Sequence, residues 1–419
     1  MFSLVQARSY RSLKSIDQPV GGFQALVGPN ASGKTTFLDV IDILGELTRS
    51  RSDVSATISS RSKNFANLLW LGEGESFQLA VEALIPADVQ VLMAEDKRRF
   101  THVRYEIEVG IDGSLNEIGI NHETLWLKSP EPVQALPQRD LFPQPSMQLS
   151  TLLSKQKNGL RTAINKKNGG NDNYYPEGRQ SYTPSFRLGR TRTALSTVPA
   201  DRESFPVSTW FKEYLESGIM SIVLNSHAMR QPSAPGQGLQ FNPDGSNLPW
   251  VISELKKNEV RFSNWLDHVR TALEDIKNIE VVDRDEDRHK YLVIEYSNGA
   301  KVPSWLVSDG TLRLLALTIP AYLGDFRGVL LIEEPENGIH PKAIETVMQS
   351  LSSIYDSQVL VATHSPIALN MLDPYQILCF AKNEEGATDI VSGDMHPMLK
   401  EWKAGEPDFG VLFASGILS

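Results

Sequence analysis

A chain of 419 residues, 41% hydrophobic and 22% charged, is long enough for two or three lobes around a large core. Its single cysteine, Cys379, excludes an intramolecular disulfide framework and a cysteine-rich zinc site, and no apolar run approaches the roughly 20 residues that span a bilayer. A net charge of −10 argues against a chain that is basic throughout, although it leaves open where charge is concentrated.

In chain order, Ser9-Tyr10-Arg11-Ser12-Leu13 belongs to the first strands, and Phe23 to Val27 reads as a buried strand. It runs into Gly28-Pro-Asn-Ala-Ser-Gly33-Lys34-Thr35, a complete G-x-x-x-x-G-K-[ST] loop, and a helical pattern follows from Thr35 to Leu47. Glycines let such a loop curl so that successive N–H groups face a polyphosphate, and the helix N-terminus adds partial positive charge. Asn30, Ala31, Ser32, Gly33, Lys34, Thr35 and Thr36 are the residues expected around the phosphates, with Lys34 reaching the β- and γ-phosphates and the Thr35 hydroxyl on Mg²⁺.

Residues 49–64 are rich in Ser and Arg and read as exposed. Phe77 to Ile85 and His102 to Ile111 read as strands, with Asp112-Gly113 as a hairpin turn, and Pro130 to Ser150 as an irregular linker. From Lys155 to Arg192 nine Lys or Arg stand against two acids, with Tyr174, Tyr175, Tyr182 and Phe186 among them. Such a tract suits phosphate contact and base stacking; the alternative is a solvated, partly disordered loop. Helical runs follow at Val207–Leu224, Trp250–Lys257 and Phe262–Ile279, then a strand pair, Ile279–Asp283 and Tyr291–Tyr296.

The C-terminal part brings three more polar turns. Ser308-Asp309-Gly310 opens the helical run Leu312–Leu323 and offers an anion-binding N-terminus. Gly328 to Ile332 is a continuous apolar strand ending in Glu333-Glu334-Pro335-Glu336-Asn337. Adjacent carboxylates at a strand end are costly without a cation, so Glu333 reads as the Mg²⁺-side acid and Glu334 as the group that polarises water. Gln358 to Ala362 is a further buried strand, followed by Thr363-His364-Ser365, where His364 is positioned to contact a terminal phosphate.

These four pieces, in this order, resemble the ABC-type ATPase heads, in the branch of RecF-type, SMC-like and overcoming-lysogenization-defect (OLD) ATPases, often described as AAA family ATPases of AAA_21 or AAA_15 type. The resemblance covers about residues 1–47 and 304–371 and is weak between them. It implies an α/β P-loop NTPase fold: an ABC-type head with a mixed central sheet, an antiparallel β subdomain and a helical or irregular insertion. It makes the Gly28–Thr35 loop the Walker A motif, Ser308 and Gly310 the signature, Glu333-Glu334 the Walker B pair, Pro335-Glu336-Asn337 the D-loop and His364 the switch histidine. Arg11 would lie near the nucleotide, and Gln78 is offered for the family's Q-loop glutamine. Glu333 stands where most ABC ATPases carry Asp, and the signature lacks the LSGGQ of transporters.

The ranges expected are 1–128 and 301–419 for the halves of the head and 129–300 for an insertion carrying the basic tract. There are no sustained heptads, so a long coiled coil is not expected, and about 55 residues after His364 are too few for a TOPRIM nuclease domain. The segment 410–418 reads as a docking segment. The implied activity is hydrolysis of ATP with Mg²⁺, coupled to opening and closing of a homodimer or higher oligomer in the cytoplasm. DNA through Lys155–Arg192 and a separate effector such as a nuclease are the implied partners, and no membrane. Antiphage defence, RecF-like repair and a DNA-independent protein switch remain open; a transporter subunit is disfavoured.

Overall fold

The computed structural model describes residues 1–49, 53–112, 117–130, 139–180, 182–324, 326–399, 411–412 and 416. Position 113 of the hairpin, residues 131–138 of the linker and most of 410–418 lie outside the described residues. Strands β1 (Phe2–Tyr10), β2 (Leu13–Pro19) and β3 (Phe23–Val27) precede α1 (Lys34–Thr48) and α2 (Val54–Arg61). Then come β4 (Ser76–Leu84), α3 (Ala87–Leu92), β5 (His102–Asp112), β6 (Glu117–Lys128), β7 (Leu160–Lys167), β8 (Asp172–Tyr174) and β9 (Ser185–Phe186). The middle continues with α4 (Pro206–Ser217), β10 (Ile219–Ile222), α5 (Ser226–Arg230), α6 (Leu248–Leu255), α7 (Glu259–Ala272), β11 (Ile276–Asp283), β12 (Lys290–Tyr296) and β13 (Lys301–Pro303). The last third holds α8 (Asp309–Thr318), α9 (Pro320–Leu323), β14 (Val329–Glu333), α10 (Pro341–Ser352), β15 (Gln358–Ala362), α11 (Pro366–Leu369), β16 (Ile377–Lys382) and β17 (Thr388–Ser392).

Six strands form the central sheet in the order β10-β14-β15-β3-β16-β17, parallel except for the antiparallel edge strand β17. Its strands are apolar on both faces because both faces are covered. Leu26, Val329 and Leu331 face a core shared with Phe37 and Ile41 of α1 and with the large antiparallel sheet. Ala25, Val27, Leu330 and Ile332 face a second core built with α6, α7, α8 and α10. The antiparallel sheet has eight strands in the order β2-β1-β4-β5-β6-β7-β8-β9, and β11-β12-β13 form a third, smaller sheet.

The range 129–300 is threaded through both large sheets: β7–β9 extend the sheet begun by β1–β6, and β10 completes the edge of the phosphate-loop sheet. Three helical expectations are shortened. The run Val207–Leu224 is helical only to Ser217; Gly218 ends it, and Ile219–Ile222 pairs in parallel with β14. The run Phe262–Ile279 is helical to Ala272 and then enters β11, and Leu312–Leu323 is divided before Pro320. Within the basic tract, β7, β8 and β9 are strands of the antiparallel sheet, and the other described residues of 155–192 are turns or irregular backbone.

Candidate functional site

The phosphate loop bridges β3 and α1. Gly28 and Gly33 adopt φ of 147° and 111°. A Cβ on Gly28 would lie 2.1 Å from the Phe380 carbonyl oxygen, and one on Gly33 would lie 2.3 Å from Thr388 Oγ1. Both positions therefore demand glycine for conformation and for close approach. Thr388 Oγ1 donates to the Ser32 carbonyl at 2.8 Å, so β17 fixes the back of the loop. Pro29, Asn30 and Ala31 form its exposed rim, while Ser32, Gly33 and Lys34 are buried. Lys34 Nζ donates to the carbonyls of Gly28 at 2.8 Å and Pro29 at 2.9 Å. Burial lowers the Lys34 pKa, against the pull of Glu334, Glu333 and Glu336, whose charges favour its proton.

Parallel pairing brings the distant acids to this loop. β15 lies between β14 and β3, with Glu333 opposite Ala362 and Ala362 opposite Leu26. Across 298 residues, Thr35 Oγ1 donates to Glu333 Oε2 at 2.5 Å. Glu334 follows with φ of 46°, a left-handed conformation that is costly for a side-chain residue and recurrent at functional sites. Its N–H donates to Ala362 O at 2.7 Å, and Asn337 Nδ2 donates to its carboxylate. Glu336 Oε1 accepts from Thr363 Oγ1 at 2.9 Å and from the His364 N–H at 2.6 Å. Burial, and next the Lys34 charge, lower the His364 pKa, so its ring is neutral at pH 7 and offers one donor and one acceptor.

Ser308 caps α8 through its hydroxyl, which accepts from Thr311 N at 3.2 Å. Gly310 packs so close to the turn after the acids that a Cβ would lie 2.7 Å from Gly338 O. Among the described residues no hydrogen bond joins Ser308 or Gly310 to the phosphate loop. Arg11 and Thr36 flank the loop differently. Thr36 Oγ1 accepts from Ser12 Oγ at 3.5 Å, at the geometric limit, whereas Arg11 is turned to α1, with Nη1 3.3 Å from Asp39. The Gln78 expectation is corrected: its side chain, on β4, donates to Glu108 of β5 and accepts from Thr151 and Leu152 in the segment before β7, and among the described residues makes no hydrogen bond to the phosphate loop.

A bound Mg²⁺ fits this arrangement. Thr35 Oγ1 and Glu333 Oε2 already converge, and the hydroxyl–carboxylate pair supplies the hard oxygen donors that Mg²⁺ prefers. Among the described residues no group of three His, Cys, Asp or Glu side chains could hold a metal ion. The chain alone missed Thr388 and the clamp made by Glu336. An isolated threonine in an edge strand carries no motif, and only the strand order reveals its contact.

In the basic tract, Lys166 is 2% exposed and paired with Asp172 at 2.9 Å. Arg161 pairs with Asp96 at 3.4 Å and Arg190 with Asp112 at 3.2 Å. Lys155, Lys157, Lys167, Arg179, Arg187 and Arg192 are exposed, as are Tyr175, Tyr182 and Phe186, whereas Tyr174 is core.

A protein-family profile described as "AAA domain, putative AbiEii toxin, Type IV TA system" matches residues 214–370. A protein named OLD nuclease, from Thermus scotoductus (strain ATCC 700910 / SA-01), is 46% identical over 48 residues. That match covers 11% of this chain and 9% of the relative, so the chain spans only about a tenth of that relative's length. Among solved structures, the SmcHead bound to the C-winged helix domain of ScpA has a TM-score of 0.54 at 14% identity, over 93% of this chain and 97% of that one. The Smc head domain with an extended coiled coil bound to the C-terminal domain of ScpA, derived from Pyrococcus furiosus, has a TM-score of 0.51 at 13% identity, over 96% and 98%.

Proposed function

We propose that this chain, an ABC-type ATPase head of the SMC-like, OLD and RecF branch in its fold and motifs, is a switch that hydrolyses ATP and is gated by dimerisation around the nucleotide. The observation that carries the reading is the convergence of Lys34, Thr35 and Glu333 at the mouth of the phosphate loop, with Thr35 bonded to Glu333 at 2.5 Å. Lys34 Nζ exchanges its two loop carbonyls for the β- and γ-phosphate oxygens. Thr35 and Glu333 are the residues that would hold Mg²⁺, and a bound ion would supply neutralisation of phosphate charge there. Glu334 orients the attacking water and accepts its proton as the new P–O bond forms and the β–γ bridge breaks, leaving ADP and phosphate. Neutral His364 hydrogen-bonds the γ-phosphate.

Ser308 and Gly310 complete the site from a second copy. Ser308 is exposed and, among the described residues, has no bond to its own phosphate loop. Trp305 and Leu306 beside it are 45% and 71% exposed, giving that face apolar area for an interface. Hydrolysis removes the γ-phosphate bridge and the pair opens. The exposed cations on β7 and on the segments that flank and connect β7–β9 favour DNA as the input, in antiphage defence within the cytoplasm, with a separate effector such as a nuclease as output. The OLD nuclease name of the partial relative is consistent with that output. RecF-like repair and a DNA-independent protein switch use the same site. Steady-state turnover with and without single- and double-stranded DNA, at varied salt, tests the reading: DNA stimulation that fades with salt supports it, and turnover indifferent to DNA points to a protein input. No Glu334-dependent turnover under any condition would refute the ATPase itself.

A further inference from the structure

The turn after β14 and the turn after β15 are tied together by one side chain. Glu336 Oε1 accepts both the Thr363 hydroxyl at 2.9 Å and the His364 N–H at 2.6 Å. The second oxygen, Oε2, is buried and accepts from no group among the described residues. A carboxylate held out of water on one oxygen is expensive, so filling space between two strands is a poor account of a glutamate here. The backbone adds a second tie close by, from Glu334 N to Ala362 O at 2.7 Å. Glu334 and His364 thus leave adjacent strands, and Glu336 binds the two departing segments into one unit.

We infer that Glu336 is a positioning residue, which sets the spacing between the water-polarising Glu334 and the phosphate-facing His364 and makes the two turns move together. The inference rests on the ATPase reading for its kinetic consequence, but the clamp itself can be observed without nucleotide. A charge-assisted bond to a backbone N–H is among the stronger single contacts, and its loss frees the turn that begins at His364. Small misplacement of a reacting group costs large factors in rate while leaving ground-state binding intact.

The test compares Glu336→Ala, Glu336→Gln and Thr363→Val in the full chain. Glu336→Ala is expected to lower kcat at least tenfold with the KM for ATP within about threefold. Glu336→Gln presents a carbonyl oxygen to the same two donors and is expected to restore most of the lost kcat. Thr363→Val also removes the bond that Ser365 N–H donates to Thr363 Oγ1 at 3.0 Å, so the double variant Glu336→Ala/Thr363→Val is expected to lose less than the product of the two single losses, because both variants remove the Glu336–Thr363 contact. In nucleotide-free protein, Glu336→Ala is expected to speed amide hydrogen exchange at His364. Unchanged exchange at His364, or a kcat within twofold of wild type, would overturn the inference even if the ATPase reading stands. Absence of turnover in the wild type would instead strike the ATPase reading, with the exchange measurement still deciding the clamp.

Discussion

Replacing Glu334 with Gln separates catalysis from everything else this residue does. The backbone at Glu334 is left-handed, with φ of 46°, and its N–H is bonded to Ala362 O at 2.7 Å; Gln inherits both. The Asn337 amide that donates to the carboxylate finds the Gln carbonyl in its place. Folded stability should therefore change by no more than about 0.5 kcal/mol. One negative charge facing the triphosphate disappears, so ATP affinity should stay the same or rise. What is lost is the proton acceptor for the attacking water. Positioned bases contribute roughly 10²–10⁴ in rate, or about 2.7–5.4 kcal/mol of barrier. Turnover should fall at least a hundredfold, and ATP-dependent dimer should accumulate because the bridge is no longer cut. Phosphate release under single-turnover conditions reads the first effect, and mass photometry with ATP against ADP reads the second. A variant within fivefold of wild-type turnover would refute the assignment of Glu334; normal loss of turnover without ATP-dependent dimer would refute the gating.

Lys34→Ala should weaken ATP binding at least tenfold by calorimetry, since Nζ is the cation that the loop itself turns inward, held by Gly28 O and Pro29 O. Glu reversals at Lys167, Arg179 and Arg187 should abolish DNA stimulation and flatten its salt dependence, by about 0.9 in the logarithmic slope for each phosphate no longer neutralised, with basal turnover unchanged. Burial pushes the Glu177 pKa from 4.5 up to about 7, although Val207 N and the N–H and hydroxyl of Ser208 favour its charged form. Because the folded protein then holds a proton that the unfolded chain has released, this group's stabilising contribution is full below about pH 4.5. It is lost as pH rises to about 7, by up to roughly 1.4 kcal/mol per pH unit. Denaturant unfolding of wild type against Glu177→Gln over that window should show a steeper loss of stability with pH in the wild type, and equal slopes would refute the assignment.

The polar turns of the candidate site were legible because each follows an apolar run too continuous to be half-exposed. Val329–Glu333, Gln358–Ala362 and Phe23–Val27 are neighbours in one parallel sheet, and polar residues at their carboxyl ends must collect on one edge. The middle was harder to read for a different reason. Ile219-Met-Ser-Ile222 is too short to show a period, and it became a strand because Gly218 ended α4 beside the open edge of β14. Arg11 was expected near the nucleotide from a resemblance alone, and it pairs with Asp39 on α1, a partner no local pattern announces. Lys166 and Arg187 look alike in the sequence, yet one is sealed against Asp172 and the other faces water.

Glu336 shows where sequence reasoning stops and why. As a letter it is the third acid of an acidic turn, equivalent to Glu333 and Glu334 in charge and differing by position alone. Strand geometry gives the three their separate surroundings. Glu333 is the last residue of β14 and faces the hydroxyl of Thr35. Glu334 adopts a left-handed conformation, with its N–H bonded to Ala362 O. Glu336, two residues on, reaches across to the neighbouring strand's turn. A shift of the β14–β15 register by one residue would exchange these environments without changing the composition of the turn. Chemistry at this site is therefore specified jointly by the acids and by the apolar residues that fix the register. Volume changes at Leu331 or Leu360, which touch no nucleotide, should be felt as reduced turnover before they are felt as weakened ATP binding.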